Sequence, residues 1–444
     1  MRYRPFNFIT LTIWVIVMHC FLPTAAQAAL HLSINKGSES KTNISIEKDI
    51  FVEKNSHHKR NKYLSKNILT IIRDDLISSD LFNILNYKLH KDSEFDNQPN
   101  FLLLRHMQSR LHLMMQITNH DSNKNTTTLH VKLWNPYEEL LVANQSFEIT
   151  DSNMRSAAHK ISNLIYETIT GDNGHFDTSI TFVAELKHKN IATKQLAIMD
   201  YDGHNLRYIT DGKNLDITPR FNSNNDKIIY LSYIKKKPHI TIIDTKTNEK
   251  EIIQSADGIS FAPRFSPDNN YVIFSKTIKD TTAIYELNLL TKYAKKILYD
   301  RGCINTSPSY SYDGQKIAFN SNRSGSRQIY IMNKDGSNIT RLSYGKGVYA
   351  TPVWSPKGDK VAFTKMLNGQ FHIGVIDINT EEEKILSSSW MEESPTWSPN
   401  GHRIIFHRQN RSGKNQLYSV DMSGKSLKGI KTKISASDPY CSNA

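Results

Sequence analysis

Five copies of one short motif recur across the second half of the chain. Each copy begins at a proline, and an aromatic residue follows that proline by two positions and a second one by eleven, as in TPVWSPKGDKVAF at 351–363. A period in the forties that contains several short strands is typical of a β-propeller, in which each repeat forms one blade. The prolines are spaced 44, 45, 44 and 43 residues apart: Pro219, Pro263, Pro308, Pro352 and Pro395.

Each repeat is predicted to contain four strands. The first begins at the proline, where the missing N–H removes no hydrogen bond from the strand interior. The second is an apolar run such as Val361–Thr364, the third is exemplified by Gln328–Asn333, and the fourth follows a turn such as Asp335-Gly336. Because the second and third runs are apolar with little alternation, we expect each sheet to pack on both faces against neighbouring blades.

A sixth copy is divided between the two ends of the repeat region. Strands that match the second, third and fourth of a blade occur at 180–183, 195–200 and 208–210, but no proline-aromatic strand precedes them. The missing first strand is predicted at Ser435–Tyr440, where Asp438-Pro439 is expected to correspond to Ser398-Pro399. This C-terminal strand would close a ring of six blades and remove exposed sheet edges.

The region before the propeller lacks the repeat and is predicted to be a small α/β domain. Its periodicity indicates an amphipathic helix over Tyr63–Leu85, several strands that include Phe101–Leu104, and a second helix that begins after Asp151 or Ser152 and ends at Gly171. Residues 171–174 are the candidate interdomain hinge. The predicted fold class is therefore multidomain, with a small N-terminal α/β domain at 29–170 followed by a six-bladed β-propeller at 175–440.

Residues 1–28 have the features of a secretory signal peptide. Arg2 and Arg4 precede an apolar stretch at 8–22, and Ala-Gln-Ala at 26–28 forms a small-residue cleavage site. The apolar stretch is short for a membrane-spanning helix, so cleavage is favoured over an uncleaved membrane anchor.

The segment directly after that cleavage site alternates apolar and polar residues, which indicates an extended strand. Two interpretations are open. The segment is either an edge strand of the α/β domain, which the sequence favours, or a detachable strand that pairs with the sheet of a partner. It consists of Ala29, Leu30, His31, Leu32, Ser33, Ile34 and Asn35.

Composition and motif content argue against nucleic-acid binding and against several common catalytic sites. The chain has 56 Lys and Arg against 43 Asp and Glu, a net charge of +13, but the basic residues form no block, so a solvated cationic surface is expected. No G-x-S-x-G, H-E-x-x-H or P-loop motif occurs. We expect no catalytic residue, no metal and no cofactor, and we expect Cys303 and Cys441 to be free thiols on separate blades.

Two sets of residues in the predicted first strands are candidates for binding. Arg220 and Arg264 directly follow prolines and are expected in the central channel, where a structural hydrogen-bonding role and contact with a ligand are both open. The other set precedes the prolines and would form a shallow rim around the channel mouth. A protein could dock there, although the fit of small residues in a crowded turn explains most of these positions individually. This set contains Thr218, Ala262, Thr306, Ser307, Ala350, Thr351 and Ser394.

The order of segments and several motifs resemble the TolB family, periplasmic propeller proteins of the Tol–Pal envelope system. The motifs are WSPKGDKVAF at 354–363, FNSNRSGSRQIYIMNKDGSNITRL at 319–342 and DLISSDLF at 75–82. The resemblance implies a non-enzymatic binding protein that supports outer-membrane integrity and constriction at cell division. It implies that the rim docks the lipoprotein Pal, chiefly through Ala262, Thr306 and Ser307, and that Ala29–Asn35 binds TolA.

Individual positions differ from what the resemblance implies. Ser307 stands where the family can carry a carboxylate, and Ile259 and Phe261 replace a more polar loop. We expect a monomer that reaches the outer membrane only through Pal. The alternatives are a metal-dependent propeller hydrolase or lyase, which would need an ordered cation in the channel, and the propeller gate of an oligopeptidase, which would need a further hydrolase domain.

Overall fold

The computed structural model describes residues 41–52, 58–88, 94–119, 127–188, 191–254 and 258–443. The predicted signal peptide and the segment Ala29–Asn35 lie outside these ranges. The described chain forms one mixed sheet with helices, followed by six four-stranded sheets. Among the helices in these ranges, none combines the length and the apolar character that a membrane span requires.

In the described part of the α/β domain there are a six-stranded sheet and three helices. The strand order is β3-β1-β4-β5-β6 with β2 beside β4; β1 pairs in parallel with β3 and β4, and the pairs β4–β5 and β5–β6 are antiparallel. Leu64, Ile68 and Ile72 of the first helix and Ile161 and Ile165 of the last are buried in one core with the sheet. The elements are β1 (Thr42–Glu47), β2 (Phe51–Val52), α1 (His58–Ser78), β3 (Phe82–Tyr87), α2 (Phe101–His106), β4 (Leu111–Asn119), β5 (Thr127–Asn135), β6 (Leu140–Ile149) and α3 (Met154–Thr170).

The structure corrects the predicted helices and strands of this domain. The first helix ends at Ser78 rather than Leu85, because Asp80 adopts a left-handed backbone (φ 64°) and the chain then enters β3. The predicted strand Phe101–Leu104 is wrong, since these residues begin α2, where the Asn100 side chain accepts a backbone hydrogen bond as the N-cap.

The ends of α3 agree only in part with the prediction. Its N-cap position is Asn153 and not Asp151 or Ser152, and the Asn153 side chain turns back to accept a hydrogen bond from the Thr150 N–H. Gly171 ends the helix as predicted, with a left-handed φ of 72° that glycine adopts without a Cβ clash.

The six remaining sheets are the propeller blades, which confirms the predicted six-bladed fold. Blade 1 consists of β30, β7, β8 and β9, and blades 2 to 6 each consist of four consecutive strands from β10 onward. The strands are β7 (Ser179–His188), β8 (Ile191–Asp200), β9 (Arg207–Tyr208), β10 (Leu215–Phe221), β11 (Lys227–Ile234), β12 (Lys237–Asp244), β13 (Lys250–Gln254), β14 (Ile259–Phe265), β15 (Tyr271–Ile278), β16 (Thr281–Asn288), β17 (Ala294–Leu298), β18 (Asn305–Tyr310), β19 (Lys316–Ser321), β20 (Gln328–Asn333), β21 (Thr340–Arg341), β22 (Val348–Trp354), β23 (Lys360–Leu367), β24 (Gln370–Asp377), β25 (Glu383–Ser389), β26 (Glu392–Trp397), β27 (Arg403–Gln409), β28 (Asn415–Asp421), β29 (Leu427–Gly429) and β30 (Ser435–Cys441).

Each proline lies inside the first strand of its blade and not at the start as predicted. β10, for example, begins at Leu215, four residues before Pro219. In every blade the proline and the residue before it oppose a single residue of the second strand, which is a β-bulge, so the proline still removes no ladder hydrogen bond. The opposing residue is the second aromatic of the motif and is fully buried: Tyr230, Phe274, Phe319, Phe363, Phe406 and, in blade 1, Phe182.

The last strand of the chain completes blade 1. β30 pairs antiparallel with β7, with Ala436 opposite Ala184 and Cys441 opposite Ile180. Buried side chains of this blade pack against Ile405 of blade 6, so the seam between the first and last blades is apolar. Within the described residues, Cys303 and Cys441 are free thiols, as predicted.

The bulge in β30 corrects the predicted register of that strand. Asp438-Pro439 is equivalent to Ser394-Pro395 of β26, because both pairs occupy the bulge, and not to Ser398-Pro399. The two equivalent residues are also neighbours, since the Ser394 hydroxyl donates a 2.5 Å hydrogen bond to the Asp438 carboxylate.

Charged side chains attach the α/β domain to one face of the propeller. The Arg155 Nε of α3 donates to the Asp200 carboxylate at 3.3 Å, and the same guanidinium also bonds Asp202 in the turn after β8. Asp80, in the turn after α1, pairs with Lys428 of β29 at 2.6 Å.

The predicted hinge at 171–174 is itself bonded to the propeller. The Asp172 carboxylate accepts hydrogen bonds from Lys357 at 3.2 Å and from His402 at 2.7 Å, and the next carbonyl accepts one from Asn400 at 3.3 Å. The linker therefore contacts the first turns of blades 5 and 6.

A buried histidine lies between carboxylates of the two domains. His159 of α3 has its Nδ1 2.7 Å from Asp75 and its Nε2 3.9 Å from Asp202. Burial alone would lower the pKa of His159, but the hydrogen bond and charge of Asp75, together with the charge of Asp202, outweigh burial and raise this pKa. Burial also raises the pKa of Asp75, so the proton shared by this pair is held tightly.

Removal of β30 tests the ring closure. We expect a chain truncated after Ile434 to melt about 10 °C or more below the full chain, because blade 1 loses a strand and several kcal/mol of packing. Thermal unfolding followed by circular dichroism measures the difference. A chain truncated after Ser442 keeps every β30 pair and is the control. A peptide of residues 434–443 should restore the melting temperature, and an unchanged melting temperature after the first truncation would contradict the role of β30.

A pH series tests the interdomain histidine. Because the pKa of His159 is higher in the folded protein, its stabilisation is complete below the unfolded value near 6.5 and is lost as pH rises through the folded-state pKa. The free energy of unfolding of wild type minus that of His159→Gln should therefore be largest near pH 6 and shrink toward pH 9. The difference is needed because Glu47, whose pKa burial raises to about 8, titrates over part of the same range in both proteins. A difference that is constant with pH would show that His159 acts without its charge.

Candidate functional site

The two faces of the propeller differ in what they contact. One face carries the turns after the first and after the third strand of each blade, and it holds the α/β domain through residues such as Asp202, Lys357 and Ser426. We call it the domain face. The opposite face carries the turns between the second and third strands and the connections between blades. We call it the open face, and its position away from the α/β domain makes it the candidate surface for a partner.

The predicted rim residues lie at the bulges and share an uncommon backbone conformation. A φ between 47° and 57° occurs at the residue before each proline, which is Thr218, Ala262, Ser307, Thr351, Ser394 or Asp438. For a residue with a Cβ this conformation costs on the order of 1 kcal/mol or more, so its recurrence in all six blades shows that the bulge imposes it. Sequence analysis omitted Asp438 because it placed β30 in the wrong register.

The rim is less accessible than predicted. Thr218, Ala262, Ser307 and Thr351 are half-buried and Ser394 is buried; Thr306 and Ala350, one position earlier, are also half-buried. These residues lie inside the first strands of their blades, inward of a more exposed outer ring.

The outer ring consists of large apolar side chains on the open face. Leu215, Ile259 and Ile304 occupy the same position in their blades, four residues before the proline, and all three are exposed. Several large apolar side chains exposed on one face are a feature of protein-interaction sites. The exposed set on this face is Leu215, Ile259, Ile278, Tyr299, Ile304, Tyr344 and Trp390. Sequence analysis did not predict this ring, although the constant offset from the prolines could have revealed it.

The open face also carries exposed cations around the apolar ring. Lys235, Lys236, Lys279, Arg301 and Lys346 are all exposed in its turns. An apolar surface with a cationic periphery suits a partner that offers apolar side chains and acidic groups.

The two predicted channel arginines lie together in the structure. The guanidinium carbon of Arg220 lies 5.4 Å, and that of Arg264 5.9 Å, from the centre of the Tyr440 ring. Each of these residues directly follows the proline of its blade, and Tyr440 comes from β30. The closure of the ring therefore brings the aromatic ring to the arginines.

A cavity of about 590 Å³ extends along the channel from the domain face to Arg264 and Tyr440. Its wall includes the polar residues Ser309 and Thr396, and Asn173 of the linker lies at its mouth. Arg264 and Tyr440 are thus reached from the end of the channel opposite to the open face, whereas Arg220 is not among the residues that line the cavity.

The surroundings of the two arginines disfavour their charges. Burial and, to a smaller extent, the nearby charge of Arg220 together lower the pKa of Arg264 to about 9. Burial likewise lowers the pKa of Arg220, while the charges of Asp438 and Tyr440 act in the opposite direction. A pair of like charges in such surroundings is a feature of functional sites.

The described residues also contain one group that could hold a metal ion. Single ligand atoms of Asp75, His159 and Asp202 lie within 4.8 Å of one another, at the domain interface and not in the channel. The Arg155 guanidinium already bonds Asp202, so a cationic side chain fills the position where a metal would compete. The group is better explained as an ion-pair network between the domains.

Comparison with known proteins identifies the family. A family model described as the TolB beta propeller domain matches residues 166–443. The Tol-Pal system protein TolB of Gluconobacter oxydans (strain 621H) is 34% identical over 382 residues, which are 85% of this chain and 83% of the relative. The chain belongs to the TolB family. A second family member, from Wolbachia pipientis wMel, is 33% identical over 428 residues, 96% of this chain and 97% of the relative.

A solved structure supports the same fold for both domains. The crystal structure of TolB from Acinetobacter baumannii matches with a TM-score of 0.77 at 23% identity and covers 94% of this chain and 100% of that chain. The family resemblance drawn from the blade motifs and the order of segments is therefore confirmed.

Proposed function

We propose that this protein is a non-enzymatic scaffold of the Tol–Pal system that acts in the periplasm after removal of residues 1–28. The observation that carries the proposal is the ring of exposed apolar side chains on the open face. A scaffold needs such a docking surface and no reacting group. In this role the protein supports outer-membrane integrity and constriction during cell division.

The open face docks the lipoprotein Pal in this proposal. Ala262, Thr306 and Ser307 lie at the centre of the contact, and the exposed ring that includes Ile259 and Ile304 surrounds them. Full burial of one large apolar side chain contributes roughly 1.5–3 kcal/mol, so a few members of the ring supply much of the affinity of a transient complex. The protein reaches the outer membrane only through Pal, acts as a monomer and binds no nucleic acid.

The segment Ala29–Asn35 binds TolA in this proposal. Its alternating pattern suits addition to an exposed sheet edge of the partner, where main-chain hydrogen bonds supply affinity and alternate side chains supply specificity. The proposed division of the mature chain is an α/β domain at 29–170 and a propeller at 175–440, so the two partners contact different domains.

Two isoleucines of similar exposure provide a matched test of the Pal contact. Ile259, 55% exposed, lies on the open face, and Ile252, 50% exposed, lies on the outermost strand of blade 2. Ile259→Arg should weaken binding of the cognate Pal domain about tenfold or more, because a contact worth at least 1.4 kcal/mol is replaced by a charge. Ile252→Arg should leave the affinity unchanged. Isothermal titration calorimetry with both variants measures the two dissociation constants.

The rim is tested by the double variant Thr306→Arg/Ser307→Arg. We expect little Pal to be recovered with it in a pull-down, provided that circular dichroism shows an intact propeller. Equal recovery of Pal with wild type and with both open-face variants would refute the open face as the docking site.

Deletion of Ala29–Asn35 tests the TolA contact. TolA binding should be lost, while the melting transition of the protein stays unchanged, because the described hydrophobic cores are built from residues 44 onward. Pull-down with the cognate TolA domain and a thermal melt are the two measurements. Undiminished TolA binding by the deleted chain would place the contact elsewhere.

A further inference from the structure

We propose that the propeller channel contains a binding site for a small anion with a phosphate or carboxylate group, held by Arg220 and Arg264. The site is reached from the domain face and is separate from the open face. It therefore goes beyond the docking role proposed above and does not depend on it.

The hydrogen bonding of the two arginines is incomplete. In the described ranges, no carboxylate lies within 4 Å of either guanidinium, and Arg264 donates no hydrogen bond. Arg220 donates one bond, of 2.7 Å, to the neighbouring carbonyl of Pro219. Since a guanidinium has five N–H donors, the pair has many donors available for a ligand.

Two other arginines of the same propeller, the buried Arg403 and the half-buried Arg408, show what a structural role looks like. Arg403 donates to the backbone and side-chain oxygens of Ser419 and Ser426, and Arg408 bonds the Glu392 carboxylate at 2.8 and 3.0 Å. These contacts satisfy or neutralise the guanidinium groups. Arg264 has neither kind of contact, and its stacking against the Tyr440 ring leaves all of its N–H donors without a protein partner among the described residues.

The local charges favour an anion. Arg220 and Arg264 face the same Tyr440 ring, and two guanidinium groups so placed in a poorly solvated channel repel each other. The charge of Asp438 acts on Arg220, but this carboxylate forms no ion pair with either arginine and accepts a hydrogen bond from the Ser394 hydroxyl. An anion between the arginines would remove the repulsion and would accept the planar, paired hydrogen bonds that guanidinium groups form with phosphate and carboxylate.

The cavity beside Arg264 sets the size of the ligand. Its volume of about 590 Å³ lies in the range of small-molecule sites. The Ser309 and Thr396 side chains on its wall add hydroxyl groups, and Tyr440 adds an aromatic surface. The site therefore suits a small organic anion or a free phosphate ion.

Isothermal titration calorimetry tests the proposal. The full chain is titrated with inorganic phosphate and, separately, with acetate, and chloride keeps the ionic strength constant. We expect saturable binding of at least one anion, and its identity distinguishes a phosphate from a carboxylate ligand. Arg264→Gln and Arg220→Gln should each raise the dissociation constant tenfold or more, whereas Arg301→Gln, at an exposed arginine of the open face, should not change it. Arg264→Lys retains the positive charge but lacks the planar guanidinium group, so its dissociation constant should lie between those of wild type and Arg264→Gln.

The stability of the variants without added anion gives an independent readout. In chloride alone, Arg264→Gln should melt at or above the wild-type temperature, because one of two repelling charges is removed. A lower melting temperature for both Arg264→Gln and Arg264→Lys would assign Arg264 a structural role and overturn the proposal. The proposal is also overturned if neither anion gives a saturable binding isotherm, or if wild type and Arg264→Gln bind the anion equally.

Discussion

The pairing of β30 with β7 is the interaction on which the geometry of the propeller depends. Without it, five complete blades and three strands would form an open arc with an unpaired edge at β7. Closure places six equivalent first strands around one channel, so that the six bulges occupy equivalent positions in the ring. The open face and the channel site are both products of that closure, because Tyr440 meets Arg220 and Arg264 only in the closed ring.

Much of the propeller could be predicted from the sequence because the spacing of the repeat is set by a contact within each blade. The aromatic eleven residues after each proline opposes the bulge of its own blade, so their spacing is constrained wherever a blade forms. The position of the proline within the strand was not predictable from that spacing, because a strand start and a bulge both tolerate a missing N–H. The strand prediction for Phe101–Leu104 was wrong for a different reason. A run of four apolar residues fits a helix and a strand equally well, and only the Asn100 cap decides between them.

The candidate sites show where reasoning from sequence stops. Equivalent positions before the prolines could be found by alignment of the repeats. Their partial burial follows from the bulge with its left-handed backbone, and the residue types at Thr218 and Ala262 do not indicate that conformation. Exposure of Ile259 and Ile304 depends on how the connections between blades leave the sheet. The incomplete bonding of Arg264 depends on side chains from several blades, and one of them, Tyr440, is distant in the chain and was assigned to the wrong register.

The separation of β30 from its partner has a consequence for biogenesis. Ser435 bonds Glu185 across 250 residues of sequence, and this long-range contact joins the first and last strands of the ring. During synthesis from the N-terminus, one edge of β7 stays unpaired until almost the whole polypeptide has emerged. Nascent or prematurely terminated chains therefore expose an unpaired strand edge that chaperones and proteases can recognise. In a finished chain β30 covers this edge.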